Sequence, residues 1–210
     1  MSLPAFMAPK APPRPLKGAL VVAPGGGGAA ATPLAGFPLQ TQALDNWCWA
    51  AVAAGVDAVL GAQQSQCTIA GRYATNTCDP TVAEKLRPPT CPPDEKNDTT
   101  GYLNEVLDFL ELSRTPYEAI TDGAATGAQA RADLALNRPV PIRIAWYNGD
   151  DGHFIAIVGS SAQGLLIYDP AESKVAVNHL VTVTETLLSS GGYDGVGKWS
   201  HIYPVKKAGS

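Results

Sequence analysis

Cys48 is the residue of this sequence whose type and position most clearly favour nucleophilic chemistry. It stands at the start of an apolar segment that is predicted to be a helix, where unpaired N–H groups and the helix dipole stabilise a thiolate. Asp45 and Asn46 precede it as predicted capping residues, and Trp47 and Trp49 flank it. The alternative interpretation is a cysteine that only packs in a buried helix, because cysteine often serves as a small hydrophobic residue.

A histidine and an aspartate later in the chain are the partners that such a nucleophile needs. His153 follows Gly152 in a predicted turn and opens a buried strand, whereas His179 and His201 lack such a turn. Asp169 ends the next predicted strand, so an antiparallel hairpin would place its carboxylate beside the imidazole and orient it. Taken singly, the histidine is typical of a strand edge and the aspartate of a turn before proline. Together they predict a general base and its orienting group.

Gln42 lies six positions before Cys48 and is a candidate oxyanion donor. An attacked carbonyl oxygen becomes negatively charged, and the Gln42 amide would stabilise it together with the backbone N–H of Cys48. By itself Gln42 is an ordinary loop glutamine. Its spacing from Cys48 is what favours the role.

Three short motifs carry a family resemblance: Gln42-x5-Cys48-Trp49-Ala50-Ala51, Gly152-His153-Phe154 and Asp169-Pro170. From about residue 39 to residue 204 the chain resembles the papain-like cysteine peptidases, in particular the bacterial branch typified by secreted effector proteases of plant pathogens, the AvrRpt type. The resemblance implies Cys48 as nucleophile and His153 as general acid and base. It likewise implies Asp169 as orienting group and Gln42 as oxyanion donor. Papain and the cathepsins differ in having glycine-rich residues around the cysteine and an asparagine as third member.

The resemblance implies peptide-bond hydrolysis through a thioester, with a protein or peptide substrate and without a metal or organic cofactor. It also implies a secreted protein, or one delivered into a target cell, with the cytoplasm as the alternative. Members of the bacterial branch often carry extra cysteines after the nucleophile helix, and a disulfide among Cys67, Cys78 and Cys91 is a hypothesis. The rival functions are a cell-wall amidase, an acyltransferase with the same Cys-His chemistry, and an inactive papain-like binding module.

The composition argues against several other classes of protein. The formal net charge is -4 and the 15 basic residues are scattered, so no surface for nucleic acid is predicted. No membrane span is predicted, because the apolar run near the start of the chain is too short to cross a bilayer. The four cysteines lack the close C-x-x-C pairs of zinc sites. No feature of the sequence specifies an oligomeric state.

The order of predicted elements indicates an α+β protein. Helices are predicted over 45–60, 68–74, 101–114 and 128–136. Strands are predicted over 140–146, 154–159, 165–168, 174–177 and 199–205. Together with the resemblance, this order predicts a papain-like two-lobed fold. A helical N-terminal lobe would pack against a C-terminal antiparallel sheet, with the active-site cleft between them.

Three segments are predicted along the chain. Residues 1–36 are rich in Pro, Gly and Ala and are predicted to be a flexible leader, either a linker or a secretion or regulatory segment. Residues 37–205 form the predicted peptidase domain, and the 45% share of hydrophobic residues in the chain is enough for one good core. Residues 206–210 form a short tail.

Overall fold

Five helices and seven strands are found in the part of the chain that the computed structural model describes, namely residues 31–76, 97–147, 151–171, 179–190, 192–193 and 197–210. The helices are α1 (Cys48–Leu60), α2 (Gln66–Asn76), α3 (Leu103–Phe109), α4 (Gly123–Ala135) and α5 (Thr186–Ser190). The strands are β1 (Glu118–Ala119), β2 (Val140–Trp146), β3 (Gly152–Ser161), β4 (Gly164–Tyr168), β5 (Leu180–Val183), β6 (Gly192–Tyr193) and β7 (Gly197–Ile202).

Helix α1 is the central helix of the fold. Every residue from Cys48 to Asp57 is buried, which is the pattern of a core helix and not of an amphipathic surface helix. The helix ends at Gly61, as predicted. The buried carboxylate of Asp57 stabilises the following turn by accepting the N–H of Ala62 at 3.0 Å and that of Gln64 at 2.6 Å.

The start of α1 differs from the prediction. Its N-cap residue is Trp47, whose side chain forms no capping hydrogen bond. Asn46 instead donates its backbone N–H to Asp98 Oδ1 at 2.8 Å and its side-chain N–H to Asp98 Oδ2 at 3.0 Å. The predicted capping by Asp45 and Asn46 is therefore wrong.

The remaining predicted helices are present with different bounds. Helix α3 is shorter than predicted, because Leu110 caps it and Glu111 takes a positive φ of 60°. Helix α4 begins earlier than predicted. Asp122 caps it by accepting the N–H groups of Ala124 at 2.8 Å and Ala125 at 3.2 Å, and such a cap satisfies donors that have no partner inside the helix.

The long strands agree with the sequence, whereas the short ones were not predicted. Strand β2 has the predicted bounds, and β3 and β4 contain the predicted strands and extend beyond them. Strand β7 is shorter at its end, where Val205 forms only an isolated bridge with Ser113. The strand predicted over 174–177 lies outside the described residues. The elements β1, β5, β6 and α5, each of five residues or fewer, were missed.

Every strand pair is antiparallel, and the order across the sheet is β1-β7-β2-β3-β4-β5, with β6 paired to β7. Ala156 of β3 lies opposite Tyr168 of β4. Since the two strands run in opposite directions, the start of β3 and the end of β4 meet at one end of the sheet. His153 and Asp169 therefore share that end.

Helices cover both faces of the sheet. Successive side chains of a strand point to opposite faces, so Phe154 and Ala156 join the core around α1, whereas Ile155 and Ile157 join a second core with residues of α4. The predicted α+β architecture, with N-terminal helices packed on an antiparallel sheet, is confirmed. Helices α4 and α5 cover the face of the sheet opposite α1 and so add a layer to the predicted architecture.

The end of the predicted leader is bonded to the sheet. The Leu34 N–H donates to the carbonyl oxygen of Val158 at 2.7 Å, and Ala31 and Leu34 pack against the core around α1. Residues 1–30 of the predicted leader lie outside the described residues. The domain boundary at residue 36 stays a prediction.

Candidate active site

The start of α1 contacts β3, and this contact brings Cys48 to the His153 imidazole. Cys48 is a free thiol and is 1% exposed. It is the first residue of α1, where the backbone N–H has no acceptor inside the helix. The helix N terminus and the imidazole therefore both lie beside Cys48.

The His153 ring is engaged on two sides. Its Nε2 lies 2.7 Å from Asp169 Oδ1, and the ring also lies beside Cys48. Since Nε2 faces the carboxylate, Nδ1 is the ring nitrogen left for the thiol. Trp146, the last residue of β2, lies parallel to the imidazole, with 6.1 Å between ring centroids and 11° between ring planes. This stacking limits tilting of the imidazole between its two partners.

Asp169 follows β4 directly and is buried, with 3% exposure. Its Oδ1 accepts the N–H of Ala171 at 2.9 Å as well as the contact with His153. Its own N–H donates to the carbonyl oxygen of His179 at 2.9 Å. Both the carboxylate and the backbone of Asp169 are thus held in place.

The charge state of His153 follows from this environment. Burial alone would lower its pKa, but the negative charge of Asp169, the hydrogen bond between them and the neighbouring Cys48 together raise the pKa of His153 to about 10. The imidazole is therefore protonated at neutral pH.

Gln42 lies in the loop before α1, but its amide is engaged within that loop. Its Nε2 donates to the carbonyl oxygens of Leu44 at 3.0 Å and Asp45 at 2.5 Å. Turning the amide over would set Oε1 against two carbonyl oxygens, so these contacts define its orientation. Oε1 itself is buried and finds no hydrogen-bond donor among the described residues. Donation to an oxyanion requires the exchange of one of these bonds, and this role of Gln42 stays a prediction.

Gln66, which no motif of the sequence marks as a site residue, holds the loop on both sides of Gln42. It is the first residue of α2 and is 6% exposed. Its Nε2 donates to the Thr41 carbonyl oxygen at 2.9 Å, and its Oε1 accepts the Ala43 N–H at 2.9 Å. Because Gln66 bonds only to backbone atoms of the loop, the residue types in the loop do not predict this contact.

Gly152 of the Gly-His-Phe motif occupies a position that has no room for a side chain. A Cβ on Gly152 would overlap the carbonyl oxygen of Ile144 and lie 2.9 Å from Arg143 Nε. The Arg143 side chain is buried, and together with burial its charge lowers the pKa of His201. His201 packs edge-on against Tyr117. It is thus part of the Arg143 environment, whereas His153 is the histidine at Cys48.

Cys67 of α2 is disulfide-bonded. Cys78 and Cys91, the other two cysteines of the disulfide hypothesis, lie outside the described residues. A disulfide in the zone after α1 is therefore present, and Cys48 is not part of it.

The described residues contain no group of three or more His, Cys, Asp or Glu side chains placed to hold a metal ion. They also contain no helix of sufficient length and apolarity to cross a membrane.

Comparison with known families agrees with the fold and the order of the motifs. The model of the Peptidase_C39 like family matches residues 34–190, which include Gln42, Cys48, His153 and Asp169. No curated protein matches the sequence. The predicted papain-like α+β fold is confirmed by the family and by the packing of helices on an antiparallel sheet. The chain belongs to the Peptidase_C39 like family and thus to the papain-like cysteine peptidases.

Proposed function

We propose that the protein hydrolyses peptide bonds with Cys48 as nucleophile, His153 as general acid and base, and Asp169 as the group that orients the imidazole. The observation that carries the proposal is the line of contacts from Asp169 Oδ1 through His153 to Cys48, with 2.7 Å between the carboxylate and Nε2. Nucleophile, base and orienting group stand in the relation that acyl transfer needs. Membership of a peptidase family supports a protein or peptide as substrate.

The reaction follows from the protonated state of His153. The Cys48 thiolate attacks the carbonyl carbon of the scissile bond, and the negative charge passes to the carbonyl oxygen. His153 then donates its Nδ1 proton to the leaving amine as the C–N bond breaks, which leaves a thioester on Cys48. Water attacks the thioester after losing a proton to His153. The carboxylic acid product leaves, and the thiolate forms again beside a protonated imidazole.

The oxyanion is stabilised by the N–H of Cys48 and the amide of Gln42. The Cys48 N–H lies at the helix N terminus and has no acceptor within the helix. For Gln42, an oxyanion is a stronger acceptor than the neutral carbonyl oxygens of Leu44 and Asp45. The arriving negative charge therefore favours exchange of one loop hydrogen bond for a bond to substrate.

Within the papain-like peptidases, we propose that the protein belongs to the bacterial branch of secreted effector proteases. It would act outside the producing cell or in a target cell. The Cys67 disulfide supports secretion, because structural disulfides persist mainly in oxidising compartments. The third member of the proposed triad is also an aspartate, Asp169, whereas papain and the cathepsins have an asparagine there.

The test of the chemistry is Cys48→Ala. The variant should lose hydrolysis, and iodoacetamide should label the Cys48 peptide only in the wild-type protein, because the thiolate supplies both reactions. Thermal unfolding of the variant checks that the fold is kept. Full activity in a folded Cys48→Ala protein would overturn the proposal. The absence of labelling in the wild-type protein would favour the inactive binding module instead.

The test of the substrate class compares three reactions under one set of conditions. Unfolded protein, peptidoglycan and an acyl donor with an amine acceptor are incubated with the wild-type protein and with Cys48→Ala. Cleavage of protein alone, lost in the variant, supports the peptidase. Release of peptidoglycan fragments or transfer to the amine would assign the same site to an amidase or an acyltransferase.

A further inference from the structure

His179 connects the two segments that carry the proposed site residues. Its Nδ1 lies 3.0 Å from the carbonyl oxygen of Asp169, and its Nε2 lies 3.1 Å from Thr41 Oγ1. Beside this ring, the Gln42 N–H donates to the carbonyl oxygen of Pro170 at 2.9 Å. Residues 41–42 and 169–170 are therefore joined twice, once through the His179 side chain and once directly.

The two contacts of the His179 ring persist in either of its charge states. A carbonyl oxygen can only accept, so Nδ1 carries a proton and donates to Asp169 O. In the neutral ring Nε2 then accepts from the Thr41 hydroxyl, and in the protonated ring it donates to the same oxygen, because a hydroxyl does either. The connection does not depend on the charge of His179.

The backbone of His179 holds the ring in this position. Its φ of 64° lies in the left-handed region, which a residue other than glycine keeps only when its surroundings impose it. The surroundings include the hydrogen bond from the Asp169 N–H to the His179 carbonyl oxygen at 2.9 Å. The ring also packs edge-on against Tyr168, with centroids 6.3 Å apart.

We infer that His179 is a positioning residue that holds Asp169 against His153 and fixes the spacing between Asp169 and the loop that carries Gln42. The inference rests on the proposed function for its catalytic meaning, since Asp169 orients the imidazole there and Gln42 stabilises the oxyanion. His179 touches neither substrate nor Cys48 in this scheme. It acts through Asp169 and Thr41.

Three variants separate the two contacts. In His179→Asn the amide nitrogen replaces Nδ1, since both are three bonds from Cα, and Asn tolerates a positive φ. This variant keeps the contact with Asp169 and loses Thr41. Thr41→Val removes only the Thr41 hydroxyl, and His179→Gly removes both contacts while relieving the backbone. A matched control is Asn137→Gly, which changes another residue of positive φ, 56°, in the turn between α4 and β2.

The first readout is the titration of the His153 ring by NMR on protein labelled with ¹⁵N-histidine, which contains only three histidines. We expect the His153 midpoint to move from about 10 toward 6.5 in His179→Gly, to move less in His179→Asn and Thr41→Val, and to stay in place in Asn137→Gly. Adding Thr41→Val to His179→Asn should not move the His153 midpoint further, because the two substitutions remove the same contact between residues 41 and 179. An unchanged midpoint in folded His179→Gly would overturn the inference.

The second readout is turnover, normalised to the fraction of Cys48 that iodoacetamide labels. His179→Gly should lower kcat on the order of a hundredfold with KM little changed, because small misplacement of catalytic groups slows the chemical step. A merely structural residue would lower the unfolding temperature without moving the His153 midpoint. The NMR result stands whether or not the protein hydrolyses peptides, so failure of the inference is distinguished from failure of the proposed function.

Discussion

The His153 imidazole and the Asp169 carboxylate form an ion pair inside the protein, with 2.7 Å between Nε2 and Oδ1 and side-chain exposures of 6% and 4%. Removing one partner of a buried pair leaves the other charge without compensation, which is far more costly than losing a surface ion pair. Stability and proposed catalysis therefore depend on the same contact.

We predict that the free energy of unfolding of Cys48→Ala falls as pH rises above about 6.5. The Asp169 carboxylate raises the pKa of His153 in the folded protein, so the folded protein holds a proton that the unfolded chain has already released. The contribution is fully present below pH 6.5 and is lost as pH rises through the folded pKa. The alanine variant is used because in the wild-type protein a Cys48 thiolate gives up a proton where His153 keeps one, and the two effects offset each other. Thermal unfolding across this range should show the loss in Cys48→Ala. A parallel loss after adding His153→Gln to that variant would contradict the assignment.

Asp169→Asn should lower turnover on the order of a hundredfold, the range of general acid–base catalysis. The amide keeps an acceptor for the Ala171 N–H but removes the charge that raises the pKa of His153. The alkaline limb of the pH–rate profile should accordingly move down from near pH 10. Equal activity and an unmoved limb in Asp169→Asn would show that charge is not the contribution of Asp169.

Gln42→Ala should lower kcat by about a hundredfold to a thousandfold, as expected for loss of one of two oxyanion donors. Gln42→Glu is the stricter variant, because its carboxylate keeps the shape and cannot donate. The matched control is Gln40→Ala in the same loop, since the structure shows no hydrogen bond from the Gln40 side chain to any described residue. Single-turnover measurements that give equal rates for Gln42→Ala and wild type would remove Gln42 from the site.

Gly152→Ala should inactivate and destabilise the protein, because the new methyl group would meet the backbone of Ile144, which cannot move without shifting β2. Gly127→Ala is the comparison, since its methyl group would meet the Glu185 side chain, which can turn aside. Activity and unfolding temperature measured for both variants check this. Comparable losses in the two would show that the space behind Gly152 is not decisive.

Asp57→Ala should lower the free energy of unfolding by about 1–3 kcal/mol, because the N–H groups of Ala62 and Gln64 lose their acceptor. Activity per folded molecule should stay the same. Asp108→Ala, at an exposed position on α3, serves as control and should change stability by less than about 0.5 kcal/mol. Urea unfolding of both variants tests the difference.

The elements with strong local patterns could be predicted from the sequence. The apolar run of α1 and the strand β2 were placed because periodicity and composition act over neighbouring residues. The early start of α4 was missed because its first turns contain Gly123 and Gly127, which weaken a helical pattern, while the Asp122 cap stabilises them. The short strands were missed because so few residues carry no clear periodicity.

The sequence by itself determined which side chains can do chemistry and in what order they occur, since Cys48 at a helix start, His153 at a strand start and Asp169 at a strand end follow from local patterns. Only the tertiary structure decided the charge on His153 and the direction of the Gln42 amide. Both depend on burial and on the distance between atoms of different segments. Electrostatic energy and hydrogen bonding follow those distances in space, not separation along the chain.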